Sequence, residues 1–197
     1  MILRAGQGGF CPDSLYHRRR VAPYERRASA SPGDPGHMCA SIMTPHVQLR
    51  AAIGAGIAAG ILATVVEVAL WLALTDALPE ILYRDARFAA AIVMGSSALS
   101  PADSRVSIML VATLVHFALS IVYAVIVARL TARLRMHTAL LAGGVFGLAL
   151  FIVNLYGFTA LFPWFAASRD GITLAAHVAF GVVAAGAYRV AVRRELV

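Results

Sequence analysis

Residues 138–168 read TALLAGGVFGLALFIVNLYGFTALFPWFAAS, a run of 31 consecutive residues without a formal charge. At 1.5 Å of rise per residue, a helix of about 20 residues crosses the ~30 Å hydrocarbon core of a bilayer. Pro163 interrupts the run near its end, and proline breaks a helix because it lacks a backbone donor. We therefore predict one membrane-spanning helix over 139–162.

Three more apolar stretches are long enough to span a membrane. They cover 51–74, 106–128 and 171–188. Each contains one carboxylate or imidazole side chain: Glu67 in the first, His116 in the second and His177 in the third. A chain inside a bilayer must satisfy its own backbone hydrogen bonds, which leaves helices or closed barrels, and long uniform apolar runs favour helices. The sequence predicts an all-α integral membrane four-helix bundle.

The composition excludes an ordinary water-soluble domain. The chain has 197 residues, of which 60% are apolar and 14% charged, and its mean hydropathy is +0.77. Soluble domains hold about 45–50% apolar and about 25% charged residues. The net charge is +7, and the basic residues that produce it lie along one edge of the predicted membrane domain. We therefore expect a lipid bilayer as the partner, and no nucleic acid.

Residues 1–50 differ from the rest of the chain. They hold 7 of the 17 basic residues and 5 of the 8 prolines, and they lack both a buriable apolar run and the apolar core of a signal peptide. We predict a disordered basic extension over 1–50, a membrane domain over 51–190 and a cytoplasmic tail over 191–197. Met43 leads directly into the first span and is the expected native start, with an arm that binds anionic lipid as the alternative.

The arginines predict the orientation of the spans. One end of the predicted bundle carries a basic excess, formed by Arg50, Arg129, Arg133, Arg135, Arg189, Arg193 and Arg194. The loops at the other end balance their arginines with acidic residues. Basic loops stay in the cytoplasm, so both termini are predicted to be cytoplasmic.

The only long connection between spans, 75–105, has a pattern of its own. Asp76 is placed to cap a helix entered at Pro79, and Gly95 is placed to end it. An apolar side is predicted from Ile81, Leu82, Phe88, Ile92 and Val93. We expect an amphipathic helix on the outer surface of the bundle, as either a plain connector or a lid over a site.

Polar and small residues recur at three- and four-residue intervals along each span and predict the faces that meet. These stripes comprise Gly56, Gly60, Thr64, Glu67 and Trp71; Thr113, His116, Ser120 and Tyr123; Gly143, Gly147, Asn154 and Gly157; and Thr173, His177, Gly181 and Tyr188. Counted from the span ends, Glu67, His116, Asn154 and His177 fall in the outer half of the bilayer. We therefore expect them to share one layer.

Ionisable side chains at membrane depth face a partner or a cavity, because lipid does not solvate them. The candidate pocket residues are Glu67, His116, Ser120, Tyr123, Asn154 and His177. One interpretation is a small pocket that faces outward. The other is a structural layer of hydrogen bonds that fixes the register of the helices without chemistry.

Two cofactor hypotheses and one transport hypothesis follow from the same residues. His116 and His177 on facing helices are the residue types that ligate a haem b, and with Glu67 they form the composition of a two-histidine, one-carboxylate metal site. An oligomeric minimal transporter is the further alternative, as a homo-oligomer or with a membrane-complex partner. The sequence contains no nucleophile–base motif, phosphate loop or dinucleotide fingerprint, so we predict no catalytic residues and no enzyme.

Four stretches also carry a resemblance to a known family. They are LYRDAR at 82–87, HFALSIVY at 116–123, NLYGF with FPWF at 154–158 and 162–165, and HVAFG at 177–181. Together they resemble a family of small bacterial four-helix inner-membrane proteins of unestablished activity, some of which carry the automatic label "sodium:proline symporter". The resemblance covers about 44–190 and implies a multi-pass protein of the bacterial inner (plasma) membrane. Symporters of that class look like far longer chains with many more spans, so we do not adopt the label.

Overall fold

The computed structural model describes residues 48–76, 78–100 and 104–194, and every regular element in these ranges is helical. The predicted N-terminal extension before residue 48 and its Met43 start lie outside the described residues. The five α-helices are α1 (Leu49–Leu74), α2 (Glu80–Met94), α3 (Arg105–Thr131), α4 (Met136–Ile152) and α5 (Gly171–Arg194).

Four helical segments in the described ranges are long and apolar enough to cross a membrane, which confirms the prediction of four spans. They cover Leu49–Leu74, Arg105–Thr131, Met136–Ala160 and Gly171–Arg194. Large apolar side chains point outward from them, and Leu114, Leu141 and Val145 are each about 70% exposed. Such an outer surface is stable in lipid and not in water. The chain therefore folds as an all-helical membrane protein.

Helix α5 packs closely against both α1 and α4, and glycines permit the contact with α4. A Cβ atom on Gly143 would overlap the carbonyl oxygen of Gly181, and one on Gly147 would overlap the carbonyl oxygen of His177. Any side chain at these positions would push the two helices apart. The stripe of small residues predicted along the third span is therefore the seam between α4 and α5.

A second glycine seam joins α1 to α3. A Cβ atom on Gly56 would lie 2.9 Å from the Cα of Ile121, and one on Gly60 would lie 2.8 Å from Ser120 Oγ. Both distances are shorter than real Cβ atoms tolerate. Gly60 thus lets the polar side of α3, including Ser120 and His116, lie directly against the backbone of α1.

Alanines fill most of the remaining core. One cluster lies between all four spans and includes Ala59, Ala124, Val127, Phe180 and Ala184. A second lies towards the ends of the bundle that carry Arg50 and Arg189, and it comprises Ala51, Ala52, Ala55, Ala128 and Tyr188. Small side chains at these positions allow close approach of the helix backbones.

Two stripe predictions were wrong. Thr113 is exposed, and its hydroxyl donates to the carbonyl of Met109 one turn earlier at 2.7 Å. Gly157 is also exposed, and a Cβ atom there would meet nothing within 4 Å. The three- and four-residue spacing identifies one face of a regular helix, but Thr113 lies at the edge of that face and Gly157 lies where the helix is no longer regular.

Helix α2 begins and ends close to the predicted bounds. It follows Pro79 and ends at Gly95, whose φ of +77° favours glycine. Asp76 does not cap it: the N-cap residue is Pro79, and no side chain caps the helix. Leu82 and Val93 are 39% and 70% exposed, so the predicted apolar side is only partly buried.

The buried side of α2 consists of small residues and packs on α3. Ala90 and Ala91 of α2 form a third core cluster with Ile108 and Ala112 of α3 and with Ala98 of a short 3-10 helix, Ser96–Leu99, that follows α2. The helix is therefore docked onto the first two turns of α3. Arg87 Nε donates to the Ala98 carbonyl at 3.1 Å and joins α2 to that 3-10 helix.

The third span loses regular α-helical geometry earlier than predicted. Its α-helix ends at Ile152, and a π-helical segment (Val153–Gly157) and a 3-10 helix (Phe158–Ala160) follow. Arg169 contacts two residues of the π-helical segment: its Nε donates to the Leu155 carbonyl at 2.7 Å, and its guanidinium lies 4.4 Å from the Tyr156 ring centroid. A further 3-10 helix, Pro163–Ser168, then leads towards α5.

Candidate functional site

A cavity of about 330 Å³ lies between the four spans at the end that carries α2. Residues from every span contribute to its wall, and Leu150 and Phe180 form its floor where it meets the central alanine cluster. The opposite wall is formed by α2 and the 3-10 helix Pro163–Ser168, which we call the cap. The cap contributes Asp85, Phe88, Ala89, Ile92, Phe165 and Ser168 to the lining.

All six residues predicted for the pocket line this one cavity. They are Glu67 from α1, His116, Ser120 and Tyr123 from α3, Asn154 from the π-helical segment and His177 from α5. Thr64 and Thr173 join them in the wall. The polar stripes of the four spans therefore converge on a single space at the capped end of the bundle.

Within that space the polar groups form separate contacts. The hydroxyl of Thr173 lies 3.5 Å from Glu67 Oε1 and 3.3 Å from Asp170 Oδ2. A direct hydrogen bond between Glu67 and His116, Asn154 or His177 is not formed in the described part of the chain, and each of those three residues contacts another group. We expected these side chains to form one linked layer. In the structure they instead make several separate short contacts around a cavity.

His116 faces the backbone of α1. Its Nε2 lies 3.3 Å from the Gly60 carbonyl oxygen and 3.4 Å from Thr64 Oγ1. A carbonyl oxygen only accepts, so the first contact is a hydrogen bond when Nε2 carries the proton. The absence of a side chain at Gly60 is what allows the imidazole to approach.

His177 is bonded within its own helix. Its Nδ1 lies 2.8 Å from the Thr173 carbonyl oxygen, and its ring packs edge-on against Phe151 with centroids 5.7 Å apart. Because the carbonyl can only accept, Nδ1 carries the proton in this bond and Nε2 is left as an acceptor on a ring that lines the cavity. The close α4–α5 seam at Gly147 fixes the backbone of this residue.

Tyr123 and Asn154 bridge α3 to the π-helical segment. The phenol of Tyr123 donates to Asn154 Oδ1 at 3.1 Å. Helices α3 and α4 pack less closely on each other than either does on its other neighbour. The bridge therefore closes the widest side of the bundle beside the cavity.

Side-chain hydrogen bonds and an ion pair hold the cap together. Ser168 Oγ donates to Asp85 Oδ1 at 3.1 Å, and Trp164 Nε1 donates to the Phe88 carbonyl at 3.2 Å. Arg84 pairs with Asp85 at 2.9 Å. Burial raises the pKa of the Asp85 carboxyl above its usual range, although the neighbouring Arg84 works in the opposite direction.

Sequence reasoning missed the contribution of the cap to this site. Asp85, Ser168 and the phenylalanines of the connecting segments were not among the predicted residues, and Thr173 was assigned only to a stripe. One signal was present: Ile81, Asp85, Phe88 and Ile92 are spaced by four, three and four residues. That spacing places an acidic group on the same face as three large apolar side chains.

No group of three or more histidine, cysteine, aspartate or glutamate side chains in the described ranges is arranged to hold a metal ion. His116 Nε2 also lies against a backbone carbonyl rather than opposite a ring nitrogen of His177. The haem and metal hypotheses stay predictions without a geometric argument in their favour.

No protein-family model, curated protein or solved structure matches this sequence. The resemblance to the family of small bacterial inner-membrane proteins stays a prediction.

Proposed function

We propose that this is a multi-pass protein of the bacterial inner membrane that binds a small molecule in the cavity between its four spans. The observation that carries the proposal is the convergence of polar side chains from all four spans on one cavity that has otherwise apolar walls. Concave, mostly apolar pockets with a few polar groups are typical of ligand sites. A purely structural layer would leave no such space.

The charge distribution supports an orientation in which the capped end faces outward. In the described residues, the opposite end carries Arg50, Arg129, Arg133, Arg135, Arg189, Arg193 and Arg194. The segments at the capped end mix arginines with Asp76, Glu80, Asp85 and Asp170. By the positive-inside rule the arginine-rich end is cytoplasmic, so α2 lies on the outer surface and the ligand enters past the cap.

Cysteine accessibility in cells tests the proposal. Thr64 lines the cavity, whereas its neighbour Val65 is 54% exposed on the lipid-facing side of α1. We would introduce Thr64→Cys or Val65→Cys into a chain in which Cys11 and Cys39 are replaced by serine. A charged, membrane-impermeant methanethiosulfonate reagent would then be added outside, since thiols react as thiolates in contact with water.

We expect the Thr64→Cys variant to be modified and the Val65→Cys variant to stay unmodified. Modification of neither variant would contradict an outward-facing pocket. Modification of the Thr64→Cys variant only in inverted vesicles would show that the cavity faces the cytoplasm.

A further inference from the structure

The charges that line the cavity are unbalanced. Glu67 and Asp85 contribute carboxylates, and no arginine is among the lining residues; the chain contains no lysine. Arg84 pairs with Asp85 at 2.9 Å from outside the lining. Glu67 has no ion-pair partner within the described ranges, so one acidic group in the cavity is without a cation.

The contacts of Glu67 do not replace that cation. Its carboxylate meets the Thr173 hydroxyl at 3.5 Å, the outer limit of a hydrogen bond, while the same hydroxyl lies nearer to Asp170 Oδ2 at 3.3 Å. A hydroxyl has one proton and donates to one acceptor at a time. Glu67 therefore retains most of its capacity to accept hydrogen bonds or to pair with a positive charge.

Aromatic rings form much of the rest of the wall. They belong to Phe88, Phe158, Phe162, Phe165, Phe180 and Tyr123. Phe165 packs edge-on against both Phe88 and Phe162, with centroids 6.1 and 6.4 Å apart. The faces of aromatic rings attract cations, most strongly where water is excluded, and the same rings accommodate an apolar body.

We propose that the cavity binds a small organic cation with a single positive charge and an apolar body, as an amine or a quaternary ammonium compound. This inference rests on the proposed function and adds the ligand class. Glu67 pairs with the charge, and the phenylalanine rings enclose the apolar part. A volume of about 330 Å³ is at the lower end of the roughly 300–1,000 Å³ range of ligand pockets, which favours a compact ligand with one ring.

Matched probes separate the charge from the shape of a ligand. Benzyltrimethylammonium and neopentylbenzene differ by the replacement of the quaternary nitrogen with carbon, and benzylsulfonate is an anion of similar size. Binding of each probe to the full chain in nanodiscs would be measured by titration calorimetry. The two charged probes are water-soluble, so their comparison on the unmodified protein does not depend on any variant.

Glu67→Gln is the matched variant, because it keeps the shape of the side chain and removes its charge. Glu80→Gln is the control, since Glu80 lines a separate outer groove and not this cavity. Comparing each probe between variants in the same membrane also cancels its partition into lipid. We expect Glu67→Gln to weaken benzyltrimethylammonium binding about tenfold or more, as expected for loss of a charged partner, and to leave neopentylbenzene binding unchanged.

Each result decides between the two proposals. Tighter binding of benzylsulfonate than of benzyltrimethylammonium, or an equal loss of the cationic and neutral probes in Glu67→Gln, would overturn the cation assignment. Binding of neopentylbenzene alone would also overturn the cation assignment, but it would agree with the proposed ligand pocket. Binding of none of the probes would overturn the cation assignment, and the cysteine accessibility experiment would then decide separately whether the pocket exists.

Discussion

The two ends of this bundle use the same four helices for different purposes. At the arginine-rich end, alanines such as Ala52, Ala55 and Ala128 are almost fully buried and pack in one cluster with Tyr188. At the capped end, the helices surround a cavity of about 330 Å³, which is lined by polar and aromatic side chains. The small residues hold the spans together, and the space they leave at one end is available for a ligand.

The two ends also differ in what surrounds their polar groups. Polar groups at membrane depth require a partner or water, and at the capped end α2 and the Pro163–Ser168 helix form one wall of the cavity that those groups line. The cluster at the arginine-rich end consists of four alanines and Tyr188 and surrounds no such group of polar side chains.

The largest expected effect concerns orientation. Alkaline phosphatase needs disulfides that form outside the cytoplasm, so a fusion after Ser100 at the capped end should be active. The same reporter fused after Met136, at the start of α4, should be inactive. Enzyme activity normalised to the amount of fusion protein is the measurement. The reverse pattern would place the cavity on the cytoplasmic side.

Packing at the glycine seam should give the next largest effect. Gly181→Ala places a Cβ atom against the backbone of Gly143. We expect this overpacking to lower the free energy of unfolding by about 1–3 kcal/mol or more. Gly54→Ala is the control, since a Cβ atom there meets nothing within 4 Å. Its effect should stay within about 1 kcal/mol, the range of helix propensity. The free energy of unfolding of both variants would be measured in mixed micelles. Equal losses in Gly181→Ala and Gly54→Ala would contradict close packing between α4 and α5.

A smaller effect is expected from the titration of Asp85 in the cap. Because burial raises the pKa of this carboxyl, the docked cap binds a proton more tightly than the undocked one. Cap docking should therefore become more stable as the pH falls from neutrality towards about 4, the ordinary pKa of an aspartate side chain. Hydrogen exchange of the α2 amides, corrected for intrinsic rates, reports this.

The control for that titration is Asp85→Asn, which resembles the protonated form. It should dock at least as well at neutral pH and lose most of the pH dependence. Arg84, Asp170 and Glu67 are the other charged or titratable groups that act on this carboxyl. A pH dependence that persists unchanged in Asp85→Asn would contradict the assignment of the titration to Asp85.

The features of the fold that agree with the sequence predictions depend on length and on helical period. Apolar runs of about 20 residues predict the number of helices that could cross a membrane, and stripe residues from the four spans, Glu67, His116, Asn154 and His177, line one cavity. Gly95 marked the end of α2, because few other residues adopt its positive φ. These signals depend only on the local sequence, so they are the same for any tertiary arrangement of the helices.

The features that were missed depend on contacts between elements. The period of a helix gives its faces but not the partners of each side chain: Glu67 was expected to share one layer with His116, Asn154 and His177, and its carboxylate contacts Thr173. The helix changes to π-helical geometry after Ile152, and there Arg169 donates to the Leu155 carbonyl from 14 residues away. No spacing rule predicts such a contact.

The capped end of the bundle contains a cavity, whereas the central alanine cluster beneath it is close-packed. Two buried alanines on α5 test this difference: Ala176 lines the cavity, and Ala184 lies in the central alanine cluster. We would measure the free energy of unfolding of Ala176→Leu and Ala184→Leu in nanodiscs. We would also measure the binding of benzyltrimethylammonium to each folded variant. We predict that Ala184→Leu loses about 1–3 kcal/mol or more to overpacking, whereas Ala176→Leu keeps its stability and no longer binds the probe. Equal destabilisation of the two variants would contradict the claim, because it would show that the capped end has no space to fill.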